Sequence, residues 1–172
     1  NNFKTNVIIE EVDTESKFQQ HAAPQLENLV EDMSSITLLY EESDDPIFHR
    51  TRILNDMLME SDTTVVVNYD CDVVFPVSSY LNAYKMIREE GYDLVYPYGQ
   101  GHYQKKIQVT QNLINNFVNS QFSEDAFANH PEHEVSTSDY GWAQFFKRQS
   151  YIDGGMENEN FISYGYEDNE RP

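Results

Sequence analysis

The chain has 172 residues, of which 39% are hydrophobic and 13% aromatic, enough for one domain that buries about 70% of its unfolded surface. A formal net charge of −19 argues against nucleic acid and anionic membrane as partners, because both are bound by Lys and Arg that neutralise phosphate; a phosphorylated ligand then requires a divalent cation between the two sets of negative charge. The single cysteine, Cys71, excludes an intrachain disulfide framework and a cysteine-rich zinc site, and no apolar run reaches membrane-spanning length, so the expectation is a cytoplasmic protein with no membrane span.

In chain order, Thr5–Glu11 reads as a buried strand, and residues 24–31 carry Leu26, Leu29 and Val30 at helical spacing behind a proline suited to a helix start. Ser35–Tyr40 is a second strand and Glu41–Pro46 an acidic loop. Arg50–Glu60 places Ile53, Leu54, Met57 and Leu58 on one helix face, and Thr63–Tyr69 is a β-branched strand expected to be buried on both faces. Ser79–Glu90 is an amphipathic helix with Leu81, Tyr84 and Ile87 inward, closed by Gly91. Asp93–Tyr98 is a strand, and residues 108–119 form a helix with Val109, Leu113, Ile114 and Phe117 on one side. Residues 122–139 read as a long loop, residues 143–148 as a strand, and residues 149–152 as the start of a short helix. Strands alternating with helices predict an α/β fold with a mostly parallel sheet flanked by helices.

Asp70-Cys71-Asp72 follows Val65-Val66-Val67. Ligands of open α/β sheets bind beyond the carboxyl ends of the strands. Strand alternation points Asp70 and Asp72 the same way, toward one cation, with Cys71 opposite. Two like charges this close repel unless a cation compensates, and hard cations such as Mn²⁺ or Mg²⁺ use one or two carboxylates plus substrate phosphates. The plainer alternative is a strand ending in a turn, where Asp is common. Cys71 is expected to be a buried small hydrophobe.

The second constellation runs from Gly154 to Glu170. Gly154, Gly155 and Gly165 permit tight turns or close approach to a ligand. Tyr164 and Tyr166 offer rings to a sugar, and Glu167 and Asp168 supply carboxylates able to take a proton from an attacking hydroxyl. An acidic solvated tail is the competing reading.

With both segments in hand, the chain resembles GT-A glycosyltransferases of the galactosyltransferase-like group, which includes beta-1,4-galactosyltransferases and the transferase modules of chondroitin polymerases. Phe48-His49-Arg50 before a helix resembles the donor-binding F-x-R segment, and Asp70-Cys71-Asp72 the metal motif. Gly141-Trp142-Ala143-Gln144-Phe145-Phe146-Lys147-Arg148 resembles the G-G-x-x-x-F-x-[KR] strand beside the donor phosphates, and Tyr164-Gly165-Tyr166-Glu167-Asp168 the W-G-x-E-D motif. The resemblance spans roughly residues 6–170. It implies a single GT-A domain, incomplete at both ends, that transfers a hexose from a UDP-sugar to a carbohydrate or glycoconjugate hydroxyl with inversion. Asp70 and Asp72 would hold Mn²⁺ or Mg²⁺ against the donor diphosphate, and Arg50, Gly141 and Trp142 would contact the donor. Asp168 would be the base, Glu167 would orient a sugar, and Tyr164, Gly165 and Tyr166 would meet the acceptor. The chain departs from the family pattern at Trp142, where a second glycine is usual, and at Tyr164, where tryptophan is usual. The family's opening Pro-x-Arg strand and its third metal ligand, typically a histidine after the E-D pair, are not found.

Two other classes compete. A hydrophobic strand before D-x-D-V also resembles haloacid-dehalogenase-type phosphatases, in which Asp70 would be a nucleophile, although that motif normally opens the chain. A catalytically incomplete sugar-binding module is the third. Gly99–Lys106, with its glycines and lysines, reads as a surface loop, and so does the HPEH segment with His130 and His133.

Overall fold

The computed structural model describes residues 4–26, 35–99, 105–127, 132–135 and 141–162. They fall into two compact units, Asn1–Asp62 with Gly155–Pro172, and Thr63–Gly154.

In the first unit, β1 (Val7–Asp13) and β2 (Ile36–Glu42) pair in parallel, from Val7 opposite Ile36 to Asp13 opposite Glu42. Both strands run two residues beyond their sequence-based ends. The connection is helical from Phe18, a π turn (Phe18–Ala22) continuing into α1 (Ala23–Leu26), so helical backbone starts before Pro24 rather than at it. Glu11 holds this entry: its carboxylate accepts from the Phe18 amide at 2.8 Å and from the Ser16 hydroxyl at 2.9 Å. Leu29 and Val30 lie outside the described residues. Helix α2 (Arg50–Glu60) has the bounds expected from its periodicity, and buries Ile53, Leu54 and Leu58.

In the second unit, β3 (Val65–Tyr69), β4 (Leu94–Val95) and β7 (Ala143–Lys147) form a three-stranded sheet in the order β3-β7-β4. The mostly parallel sheet expected from the sequence is thereby corrected in part. β1–β2 is parallel, but β7 runs antiparallel to both of its neighbours. Strand–helix alternation leads the chain from β3 through α3 (Val77–Glu89) to β4. It does not reveal that a much later strand enters between them in the opposite sense. The valine strand is also not the buried centre: β3 is an edge of this sheet, with Val65 and Val66 half-buried and Val67 39% exposed. The centre is β7, whose residues Ala143, Gln144, Phe145 and Phe146 are all buried.

Helix α3 presents Ala83 and Ile87 to the sheet, where they pack with Val95 and Phe145, and Val65, Tyr80 and Met86 surround them. The expected stripe through Leu81 is displaced, since Leu81 is 36% exposed and Ala83 only 1%. A methyl group at position 83 lets the helix approach the sheet more closely than a leucine would. Gly91 closes the helix at φ +83°, a conformation that favours glycine. Helix α4 (Gln111–Asn119) starts after Thr110, whose side chain accepts from the Leu113 amide at 3.2 Å. That cap leaves Val109 outside the helix and 68% exposed, and Ile114 is exposed as well. The expected loop over residues 122–139 contains a 3-10 turn (Glu124–Phe127) and strand β6 (Glu132–Val135), which pairs antiparallel with β5 (Lys105–Ile107). Helix α5 (Arg148–Asp153) follows β7 directly. Among the described residues, no helix is long and apolar enough to cross a membrane.

Two stability predictions follow from this packing. Phe145→Ala is expected to cost about 3–5 kcal/mol in urea unfolding, because the ring fills the sheet–helix core. Glu10 is half-buried on β1, and one carboxylate oxygen there has no hydrogen-bond partner among the described residues. Burial, then the Asp56 charge, raises its pKa against the opposing pull of Arg52, and Glu41 adds to the rise. A raised carboxyl pKa favours the folded state while the group is protonated, and that contribution is lost as pH rises through the folded value. Glu10→Gln is therefore expected to raise the unfolding midpoint at pH 7, with the gain shrinking as pH falls to 4.5, the ordinary value; a pH-independent difference would sink the assignment.

Candidate functional site

Because β7 is antiparallel to both neighbours, β3 and β4 run in the same direction and their carboxyl ends share one rim, where β7 begins. The Asp70 amide donates to the Trp142 carbonyl at 2.9 Å, extending the Tyr69–Ala143 pairing by one residue. Asp70 and Trp142, predicted from segments far apart in sequence, thus meet at this rim, with Asp72 and Gly141 beside them in the chain. Beneath them, Asn68 lies opposite Gln144 in the ladder, and its side-chain amide donates to the Tyr151 hydroxyl at 3.0 Å. All three residues are buried, and the Tyr151 ring stacks on Phe146 at 4.0 Å.

The strand ends at Tyr69, so Asp70-Cys71-Asp72 occupies a turn and not the strand itself. The Val73 amide closes the turn on the Asp70 carbonyl at 3.2 Å. Strand alternation therefore does not set the directions of Asp70 and Asp72, and Cys71 is exposed rather than a buried hydrophobe. Asp70 is half-buried and Asp72 exposed. A relay of hydroxyls braces the turn. The Phe75 amide donates to Tyr80 Oη at 3.2 Å, Tyr80 Oη lies 2.7 Å from Tyr69 Oη, and Tyr69 Oη donates to the Val73 carbonyl. Tyr69 as a residue is 40% exposed, and its hydroxyl is held between the Tyr80 hydroxyl and the Val73 carbonyl. Burial, the Tyr80 hydrogen bond and the nearby Asp72 charge push its phenol well above the ordinary tyrosine value. Tyr69 consequently stays a neutral donor beside the carboxylates.

As a donor set, two carboxylates in a turn fit a hard divalent cation that takes its remaining ligands from phosphate and water. Among the described residues, no group of three or more His, Cys, Asp or Glu side chains is arranged to hold a metal. His130 lies outside the described residues.

In the first unit, Arg50 is the first residue of α2 and is 8% exposed. A cleft of about 390 Å³ opens at the carboxyl ends of β1 and β2, lined by residues that include Val12, Glu41, Asp45, Phe48, His49 and Arg52, but not Arg50. At 100° per residue, positions 50 and 52 face well apart on the helix. Arg52 grips Glu41 with both terminal nitrogens, at 2.6 and 3.2 Å, and its Nη1 lies 3.3 Å from Asp56. His49 Nε2 lies 3.0 Å from Asp45 Oδ2. The sequence reading missed Arg52; its signal was a cation on the helix flank opposite Ile53 and Leu54.

The inner face of α2 also fixes the later segment of this unit. The Asn55 side chain accepts from the Glu157 amide at 2.9 Å and donates to the Glu157 carbonyl at 3.0 Å and to Glu159 Oε1 at 2.8 Å. Thr51 donates to the Phe161 carbonyl at 3.3 Å. Glu157 is 5% exposed, so this stretch is not a solvated tail, and Gly155 takes φ +102° in the turn that starts it. Tyr164, Gly165, Tyr166, Glu167 and Asp168 follow, outside the described residues.

No protein-family model matches the chain, nor does any curated protein or solved structure.

The hydroxyl relay is directly testable. Tyr80→Phe removes both the acceptor for Phe75 and the bond to Tyr69, and is expected to cost about 1–3 kcal/mol in urea unfolding. It should also speed hydrogen exchange at the Phe75 amide. Unchanged protection there would show that the turn is held by other means.

Proposed function

We propose that this protein is a metal-dependent glycosyltransferase that moves a hexose from a UDP-sugar to an acceptor hydroxyl. The observation that carries the reading is the Asp70–Trp142 backbone bond at 2.9 Å, which supports a shared donor site for the D-x-D turn and the Gly141-Trp142 segment. Its position beyond the carboxyl ends of two strands running the same way is where α/β sheets bind ligands.

Asp70 and Asp72 would hold Mn²⁺ or Mg²⁺, which when bound neutralises the diphosphate as leaving group. The remaining roles belong to side chains. Gly141 and Trp142 flank the donor, and Arg50 serves the nucleotide. Asp168 takes the proton of the acceptor hydroxyl as its oxygen attacks the anomeric carbon, displacing UDP with inversion. Glu167 orients the sugars, and Tyr164, Gly165 and Tyr166 receive the acceptor. General-base help of this kind accelerates the step by about 10²–10⁴-fold.

A screen of nucleotide sugars with Mn²⁺ on the full-length protein tests this reading. Asp72→Ala is expected to lose nucleotide binding. Asp168→Asn should keep it and lose turnover by about 10²-fold or more. Full activity in Asp168→Asn would remove that residue as the base. Phosphate release from a phosphomonoester that disappears in Asp70→Asn would instead favour the aspartyl-phosphate chemistry of a phosphatase.

A further inference from the structure

Between α2 and the β1–β2 sheet of the first unit, three carboxylates share one guanidinium. We propose that Glu10 and Arg52 form a proton-linked clasp in the wall of the cleft: with Glu10 protonated, Arg52 holds Glu41, and when Glu10 ionises the guanidinium turns to it and releases Glu41 toward the cleft.

The geometry starts from the strand register. Val12 lies opposite Glu41 in the parallel ladder, and side chains two residues apart share a face, so Glu10 and Glu41 are diagonal neighbours on one face of the sheet. From the rise along a strand and the spacing between strands, their Cβ atoms sit about 8 Å apart, within reach of one long side chain. Arg52 is engaged at one side of that gap. Its terminal nitrogens lie 2.6 and 3.2 Å from the two Glu41 oxygens, and Nη1 lies 3.3 Å from Asp56. Glu10 is left out. Its Oε2 is buried without a hydrogen-bond partner among the described residues, yet the charges of Asp56, Arg52 and Glu41 all act on it.

Solvation decides which carboxylate takes the guanidinium. The side chains of Glu41 and Asp56 are 43% and 50% exposed, so water solvates their charges, and ion pairs at such sites contribute little. The buried oxygen of an ionised Glu10 has no such recourse, and a charge enclosed without a partner costs far more than an exposed one. Once charged, Glu10 therefore draws Arg52 more strongly than Glu41 does. While protonated it exerts no such pull, and Arg52 stays on Glu41, as the structure shows. Burial first, then Asp56, raises the Glu10 pKa, Arg52 opposes the rise and Glu41 adds to it, so the exchange comes as pH climbs above the ordinary carboxyl value. Glu41 and Arg52 both line the cleft, together with Asp45, and the exchange converts a self-neutralised stretch of its wall into one with an unpaired carboxylate.

The test is a carboxyl-carbon NMR titration of the full chain, followed together with the Arg52 Nε–H signal. As pH rises, Glu10 is expected to titrate with a midpoint above 4.5, and the Arg52 signal and the Glu41 carboxyl carbon should shift with that same midpoint. Glu10→Gln keeps the shape and removes the charge, so it should abolish the Arg52 response. Asp56→Asn should lower the Glu10 midpoint, because it removes both a charge that raises it and a second hold on Arg52. A Glu10 titration during which Arg52 and Glu41 do not move would overturn the clasp. So would an Arg52 response that survives in Glu10→Gln, or a Glu10 midpoint at or below 4.5. The wild-type titration decides the matter even where a variant does not fold.

Discussion

The reverse entry of β7 between β3 and β4 is the constraint on which the second unit depends. With antiparallel bonds on both sides, the two outer strands must run the same way, and their carboxyl ends lie toward the start of β7, opposite Ala143 for β3 and opposite Phe145 for β4. The start of β7 must then lie where they finish, so residue 142 reaches residue 70 by ladder geometry alone. Packing enforces the arrangement. Phe145 on β7 belongs to the same core as Ala83 and Ile87 of α3 and Val95 of β4. A buried polar layer adds specificity. Gln144 is 0% exposed and opposes Asn68, and slipping the register by one residue would pull Asn68 from its bond with Tyr151 and turn apolar side chains to the wrong face.

The rim that results combines opposite electrostatic tendencies. Two carboxylates sit in a turn of a chain that is strongly acidic overall. The groups bracing that turn are neutral hydroxyls, and Tyr69 resists ionisation because of partial burial, its hydrogen bond with Tyr80 and the nearby Asp72 charge.

Helix α2 organises the first unit by dividing its faces. Ile53, Leu54 and Leu58 go inward with two polar residues, Thr51 and Asn55, that hold the backbone of residues 157–161. On the flank, Arg52 is committed to Glu41 and lines the cleft where β1 and β2 end. One buried asparagine satisfies an amide and a carbonyl at once, much as a neighbouring strand would. That accounts for a segment of little regular structure being fixed at a defined place on the helix.

The sequence by itself determined what depends on local chemistry. The Arg50–Glu60 helix was legible from apolar spacing, the end of α3 from Gly91, and the valine strand from β-branching. The two aspartates after that strand, and the Gly141-Trp142 segment before another, were visible as chemistry-bearing residues. Only the tertiary structure decided what depends on partners. Strand order and direction come from hydrogen bonds between segments about fifty to eighty residues apart, and no periodicity encodes them. So the valine run proved to be an edge, AQFFK the centre, and Ala83 rather than Leu81 the helix's contact with the sheet. The D-x-D residues proved to occupy a turn, because the last ladder bond is made by the Asp70 amide and the Val73 amide turns the backbone back on the Asp70 carbonyl. A side chain's burial is likewise a property of what packs on it. Glu157, in a stretch rich in Glu and Asn, is enclosed because Asn55 holds its backbone there.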